Sequence, residues 1–225
     1  MSRPLKILII TLAVILVLYT ASELLIPIGA SWYIKREIKK RYPEAADVSV
    51  SVRAFPAFRL FSKKYSSLTI EARGIKLEGI NFDSIRLFSS TYPNGTFDAV
   101  IGQDEIDNFF SISGSYLGTP RAEIQDSRIR ITGQLDLGYG LLNVSGTGIL
   151  VPQKGRDVFL VPDNVTVEGT SLSGQMTAEV RQYVSENPIF TVRADLPLTI
   201  TAIKAGNGKL TITGDVDIEE ALKFK

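Results

Sequence analysis

Residues 66–90, SSLTIEARGIKLEGINFDSIRLFSS, carry apolar side chains at alternate positions. Leu68, Ile70 and Ala72 point to one side of an extended chain, and Thr69, Glu71 and Arg73 point to the other. Such a strand has one apolar face, and that face must be covered. The pattern returns along most of the chain. Val48, Val50 and Val52 show it first, and Ile129 with Ile131, Leu135 with Leu137, Leu142 with Val144, Val158 with Leu160 and Val165 with Val167 repeat it. Gly138, Gly140, Gly146 and Gly148 bend or separate these later strands. The phase slips near Arg73-Gly74, where Ile75 and Leu77 take over, which predicts a bulge.

Helical signals are few. GQDEIDNFFSISG reads as a short helix with Asp104 and Glu105 at its positive end. SGQMTAEVRQYVSEN spaces Met176, Val180 and Val184 by one helical turn each and ends before Pro188. YPNGTF predicts a turn on Asn94-Gly95, and Asn207-Gly208 predicts the tip of a hairpin within LPLTITAIKAGNGKLTITGDVDI. The count is about nine or ten strands against two or three short helices. No repeat with a period of about 20–50 residues is present, which excludes a solenoid. The fold class expected is therefore α+β but mostly β: a highly curved antiparallel sheet packed on a few short helices. Two or three helices cannot cover every apolar face, so a second sheet, or something outside the chain, must supply the rest. A sheet curled over them leaves an elongated apolar groove, a shape suited to acyl chains.

The first 30 or so residues stand apart from this sheet. The chain starts with Arg3 and Lys6 and runs apolar almost without interruption from Leu5 to Leu18; with the softer stretch to Ile28 it makes about 24 residues or roughly 36 Å of helix, enough to span a bilayer. Glu23 is the one charge near its outer end. A cleaved signal would have a shorter apolar region and a small-x-small site, to which TAS and IGA are poor matches, so an uncleaved anchor is the favoured reading. The expected division is residues 1–30 as anchor or signal and 31–225 as one β-rich domain. Next comes SWYIKREIKKRY, a short amphipathic helix with Ile34, Ile38 and Tyr42 on one face and Pro43 after it. Its basic residues Lys35, Arg36, Lys39, Lys40 and Arg41 suit either docking on the domain or lying on anionic headgroups. Counted by the positive-inside rule they would hold the domain in the cytoplasm, but the cluster starts about seven residues past Ile28, and charge alone leaves orientation open.

Charge and composition narrow the function. The chain has 25 basic and 24 acidic residues, a formal net charge of +1, which argues against a nucleic-acid partner. It has no Cys and no His, so disulfides, thiolate zinc sites, a cysteine nucleophile and the commonest general base and metal ligand are all excluded. Asp104, Glu105 and Asp107 cluster as a metal or acid/base site would, but acidic residues opening a helix are ordinary capping chemistry. AGNGKL contains G-x-G-K without the strand-and-helix frame of a phosphate loop. There is no G-x-S-x-G elbow. No catalytic site, metal site or cofactor is expected, and the chain reads as a non-enzyme. The unusual feature is phenylalanine: Phe55, Phe58, Phe61, Phe82, Phe109 and Phe110, each of which suits core packing or ligand contact.

An N-terminal membrane segment, a short helix, VSVSVRAFPAFRLFSKKYSSLTIEARGIKLEGINFDSIRLFSS, then FDAVIGQDEIDNFFS and a closing ADLPLTITAIKAGNGKLTITGDV together resemble the LmeA family of bacterial phospholipid-binding proteins. Phe55-Pro56, Gly74-Ile75 and Leu196-Pro197 carry the resemblance most specifically. It covers nearly all of the chain past residue 30. The resemblance implies an exported domain in the cell envelope, a curved sheet similar to tubular lipid-binding domains, and binding of anionic phospholipid. It differs from some members in lacking a clear cleavage site. On this reading the groove candidates are Phe55, Phe58, Phe82, Ile85, Leu87, Phe109, Phe110, Leu198 and Ile200, with the basic cluster Lys35–Arg41 meeting headgroups or the membrane surface. The expected partners are phospholipid and membrane, with no nucleic acid. The alternative is a membrane-anchored structural domain whose sheet closes on itself without a ligand.

Overall fold

The structure, a computed structural model, describes residues 3–62, 64–77, 79–112, 117–136, 140–168, 174–193 and 196–221. Leu137, Gly138 and the side chain of Met176 lie outside the described residues. The chain is mostly β and antiparallel, as expected, with its strands divided between two sheets. The first sheet has the order β1 (Asp47–Arg53), β2 (Ser67–Leu77), β3 (Ile80–Thr91), β4 (Asn94–Gly102), β11 (Lys209–Asp217), β10 (Leu198–Gly206). The second is β5 (Gly118–Gln125), β6 (Arg128–Asp136), β7 (Leu141–Gln153), β8 (Asp157–Glu168), β9 (Phe190–Thr191). The helices are α1 (Arg3–Arg41), α2 (Gln103–Ile112), α3 (Gly174–Glu186) and α4 (Ile218–Ala221), with a 3-10 turn at Ala57–Ser62.

Several parts together cover the apolar face of the first sheet. Ile38 of α1 is buried, with Ile34 and Tyr42 packed beside it along β1. Helix α2 buries Ile106, Phe109 and Phe110. The second sheet meets β10, where the Ile200 N–H donates to the Gly155 carbonyl at 2.7 Å. Val158, Leu160, Ile129 and Ile131 from that sheet join the same continuous core. Burial of each such side chain contributes about 1.5–3 kcal/mol to the packing between the two sheets.

Three local expectations are revised. First, the amphipathic segment is not a separate helix: it continues the apolar segment as the last turns of α1, a single helix from Arg3 to Arg41. Residues 31–41 keep good helix formers and nothing in them breaks the hydrogen-bond ladder, so the helix stops only ahead of Pro43. Second, the β3–β4 turn falls on Tyr92-Pro93, a cis peptide, and Asn94-Gly95 already belongs to β4. Gly95 is needed there because a Cβ would lie 2.8 Å from the Ile218 side chain. Third, β2 and β3 pair without a register shift around Gly74. Both strands change face at the same level, with Ala72 opposite Ile85 and Ile75 opposite Phe82. Gly74 makes this possible with φ of +56°, a left-handed conformation that suits glycine. Bulges do occur elsewhere, notably between Ile200 and Ala202. The hairpin tip at Asn207-Gly208 forms as expected, with φ of +52° and +66°.

Candidate ligand-binding cleft

The side chains of β3 that are neither exposed nor fully packed mark the site. Phe82, Ile85 and Leu87 are half-buried, and with Leu198 they border a cleft of about 470 Å³. That volume lies within the range of about 300–1,000 Å³ usual for ligand sites. Phe97 and Ala99 of β4, Ile212 and Val216 of β11, and Ile200 of β10 form its floor. Phe109 of α2 and Phe190 of β9 close one side, their rings edge to face at 4.9 Å between centroids. The lining is overwhelmingly apolar. Among its described residues Arg193 is the one with a formal charge, and Tyr42 and Thr191 bring hydroxyls.

The cleft runs along the strands. From Ile80 to Leu87 it follows β3 for about 23 Å, at roughly 3.3 Å per residue. One end is bounded by Tyr42, Leu77 and Ile80, and the other by Leu87, Val216, Pro197 and Ala221. This second end is at the same end of the strands as the finish of β1, from which the chain passes to the 3-10 turn beside α1. There the Ser31 hydroxyl accepts the Val52 N–H at 3.1 Å, and the Glu23 carboxylate accepts the Ala57 N–H at 2.9 and 3.0 Å.

Of the groove candidates, the structure brings Phe82, Ile85, Leu87, Phe109, Leu198 and Ile200 together around this cleft. Phe110 sits behind it, fully buried in the core. Phe55 and Phe58 lie apart, exposed beside the 3-10 turn. Phe97, Ala99, Ile212, Val216 and Phe190 were not singled out from sequence. Their alternation in FDAVI and LTITGDV was visible, but alternation names a face without saying what that face meets. The basic residues Lys35, Arg36, Lys39, Lys40 and Arg41 do not line the cleft. They rise along α1 to about 10–20 Å beyond Ile28, at 1.5 Å per residue. Lys39, Lys40 and Arg41 occupy the last turn, where cations suit the helix dipole, and the Arg36 guanidinium lies 5.3 Å from the Trp32 ring centre.

The acidic cluster of α2 acts as a fastener. Asp107 accepts the Ala122 N–H at 2.6 Å, and Gln103 both accepts from Ile124 and donates to the Ala122 carbonyl, so α2 is clipped to the edge strand β5. Hydrogen bonds from Asn81 and Asn108 hold the Glu105 carboxyl below its usual range. Among the described residues no group of three or more His, Cys, Asp or Glu side chains could hold a metal. At the other end of the first sheet, burial raises the Tyr65 hydroxyl pKa, partly opposed by its hydrogen bond to Ser89.

Between Ile10 and Ile28, α1 is mostly apolar and none of it is fully buried: Leu12, Leu16, Leu24 and Leu25 are each exposed, and the 3-10 turn touches only its domain end, around Glu23. The helix is long and apolar enough to cross a membrane. Neither a curated protein nor a solved structure matches the chain. A family model described as LmeA-like phospholipid-binding matches residues 21–215, beginning inside α1 and ending in β11. The chain therefore belongs to the LmeA-like phospholipid-binding family.

Proposed function

We propose that this protein binds phospholipid from the membrane that α1 crosses and holds an acyl chain in the cleft of the first sheet, without catalysis. The observation that carries this reading is the cleft itself: a half-buried apolar channel about 23 Å long, against about 15 Å for the hydrocarbon of one leaflet. One end of that channel is at the same end of the strands as the finish of β1, where Ser31 and Glu23 of α1 are hydrogen-bonded. Transferring an acyl chain of about 16 carbons out of water is worth on the order of 10 kcal/mol, at ~0.8 kcal/mol per CH₂. In a bilayer the chain is already dry, so the net gain is small and binding is reversible. Selectivity must then come from headgroup contacts. The basic residues along the end of α1, with Arg193 at the cleft, favour anionic lipids, a preference that salt should weaken. The hydrogen bonds that Ser31 and Glu23 accept from Val52 and Ala57 favour an uncleaved α1 as permanent anchor, and the family resemblance supports placing the domain outside the cytoplasm, in the cell envelope.

The test is a phospholipid carrying a photoreactive group near the acyl terminus, incorporated with the full-length protein in vesicles. Crosslinked peptides containing Phe82, Ile85, Leu87 or Leu198 are expected, and anionic lipid should raise their yield at low salt. Crosslinks confined to residues 10–28 would sink the acyl-cleft reading and favour a scaffold domain.

A further inference from the structure

The 3-10 turn carries a second group of phenylalanines that the cleft does not use. Phe55, Phe58 and Phe61 are 69, 59 and 80 % exposed, yet they sit close together in sequence, on a segment packed against α1. Scattered exposed apolar residues need no explanation, but three bulky rings on one short turn form a patch that water disfavours. Two hydrogen bonds set the height of this turn along α1. Ser31 meets Val52 and Glu23 meets Ala57, so between them the chain climbs toward the helix N-terminus by eight residues' rise, about 12 Å.

That height can be compared with a bilayer. A hydrocarbon core of about 30 Å takes about 20 residues of helix. Slid anywhere within the apolar stretch Leu5–Ile28, such a span has its domain-side edge between residues 24 and 28. Glu23 then lies about 1.5–7.5 Å inside that edge in every placement. Trp32 and Tyr33, each about 60 % exposed, follow just outside it, where amphipathic rings gather at an interface. A carboxylate at the level of Glu23 needs a partner, and the Ala57 N–H supplies one. Beside the rings, Arg59 and Lys64 border a small cleft with the hydroxyl residues Ser62, Ser66, Ser90 and Thr91. Long cationic side chains of this kind can keep their stems in apolar surroundings and their charges at headgroup phosphates.

We infer that the 3-10 turn is a second membrane contact: Phe55, Phe58 and Phe61 enter the leaflet on the domain's side, and Arg59 and Lys64 meet the phosphates of its phospholipids. The occupant of this patch is lipid because the turn is tied to α1 at Glu23, beside the exposed Leu24 and Leu25 of the stretch read as membrane-crossing. The turn would hold the near end of the first sheet against the bilayer, so that a lipid reaches the cleft without crossing water. This inference rests on reading α1 as membrane-crossing and phospholipid as the ligand.

The chain has no cysteine, so single labels can be placed cleanly. Nitroxides at Phe58→Cys, Phe61→Cys, Lys64→Cys, Val14→Cys and, at the far end of β2, Lys76→Cys would be measured in the full-length protein in phosphatidylglycerol–phosphatidylcholine vesicles. Labels at 58 and 61 should lose access to an aqueous nickel chelate by at least about tenfold relative to the label at 76, since each ring favours hydrocarbon strongly. The label at 64 should be shallower than both. Chelate access at 58 and 61 equal to that at 76 overturns the inference, and a label at 64 as deep as 58 overturns its headgroup part. A water-exposed label at 14 overturns the inference and the anchor together. Shielded labels at 58 and 61 without acyl crosslinks in the cleft would uphold this contact while removing the proposed cargo site.

Discussion

Two trios of phenylalanine occupy opposite surroundings in this protein. Phe109, Phe110 and Phe190 meet edge to face, with centroids 4.9–5.9 Å apart, at the junction of α2 and the two sheets. Phe55, Phe58 and Phe61 face outward from a turn beside α1. Composition cannot separate the two. The difference lies in what each backbone segment can reach: α2 follows β4 directly and returns over the sheet, whereas the 3-10 turn leaves the end of β1 and is held to the helix by Glu23. A ring in the first trio stabilises the fold, and a ring in the second is free to serve a contact outside it.

The largest effect should come from breaking the inner trio. Phe110→Ala removes a fully buried ring and should cost about 3–5 kcal/mol in chemical unfolding, whereas Phe58→Ala should change stability by less than about 0.5 kcal/mol. Equal losses at both positions would erase the distinction. Next is the tether of the outer trio. Glu23→Ala leaves the Ala57 N–H without its charged acceptor, and hydrogen exchange there should quicken by about tenfold or more, a local loss of about 1.5–3 kcal/mol. Unchanged exchange at Ala57 would mean that Glu23 does not set the height of the turn.

The smallest effect concerns the polar fasteners of α2. Asp107→Asn should lower stability by about 1 kcal/mol through its bond to Ala122, and leave lipid crosslinking within a few-fold. Glu105 has its carboxyl held below the usual range by Asn81 and Asn108. Its contribution is therefore full above the unfolded value of 4.5 and is lost as pH falls through the lower folded value. Glu105→Gln should therefore lower stability at neutral pH and flatten that acid limb of the stability curve, the two proteins converging at low pH. An Asp107→Asn protein of native stability that had lost all lipid binding would return these acids to the functional site.

Much of the fold was legible from local pattern. The helix over residues 103–112, the hairpin tipped by Asn207-Gly208 and the apolar N-terminal helix each follow from short-range signals. The candidate cleft was legible in part. Ile85 and Leu87 could be named because they alternate, and Phe82 because it is aromatic, but Phe110 and Phe109 are neighbours on one helix and differ in whether the cleft reaches them. A sequence period distinguishes faces, not layers behind a face. The turn at Tyr92-Pro93 was missed because Asn94-Gly95 is the stronger local turn signal, and what overrides it is the approach of Ile218, which comes more than 120 residues later.

By itself, then, the sequence determined that the chain must make amphipathic antiparallel strands, that its first helix could enter a membrane, and that Cys and His chemistry was closed to it. These follow from side-chain period, apolar length and residue inventory, all of which act locally. The tertiary structure decided which apolar faces fill one another and which leave a channel, since that depends on how two sheets and α2 share a limited volume. It also decided that the amphipathic segment continues the apolar N-terminal helix, and that Glu23 reaches Ala57 across 34 residues of chain. Contacts at that separation form only once β1 has been laid along α1, because only the assembled fold offsets the entropy of closing so long a loop.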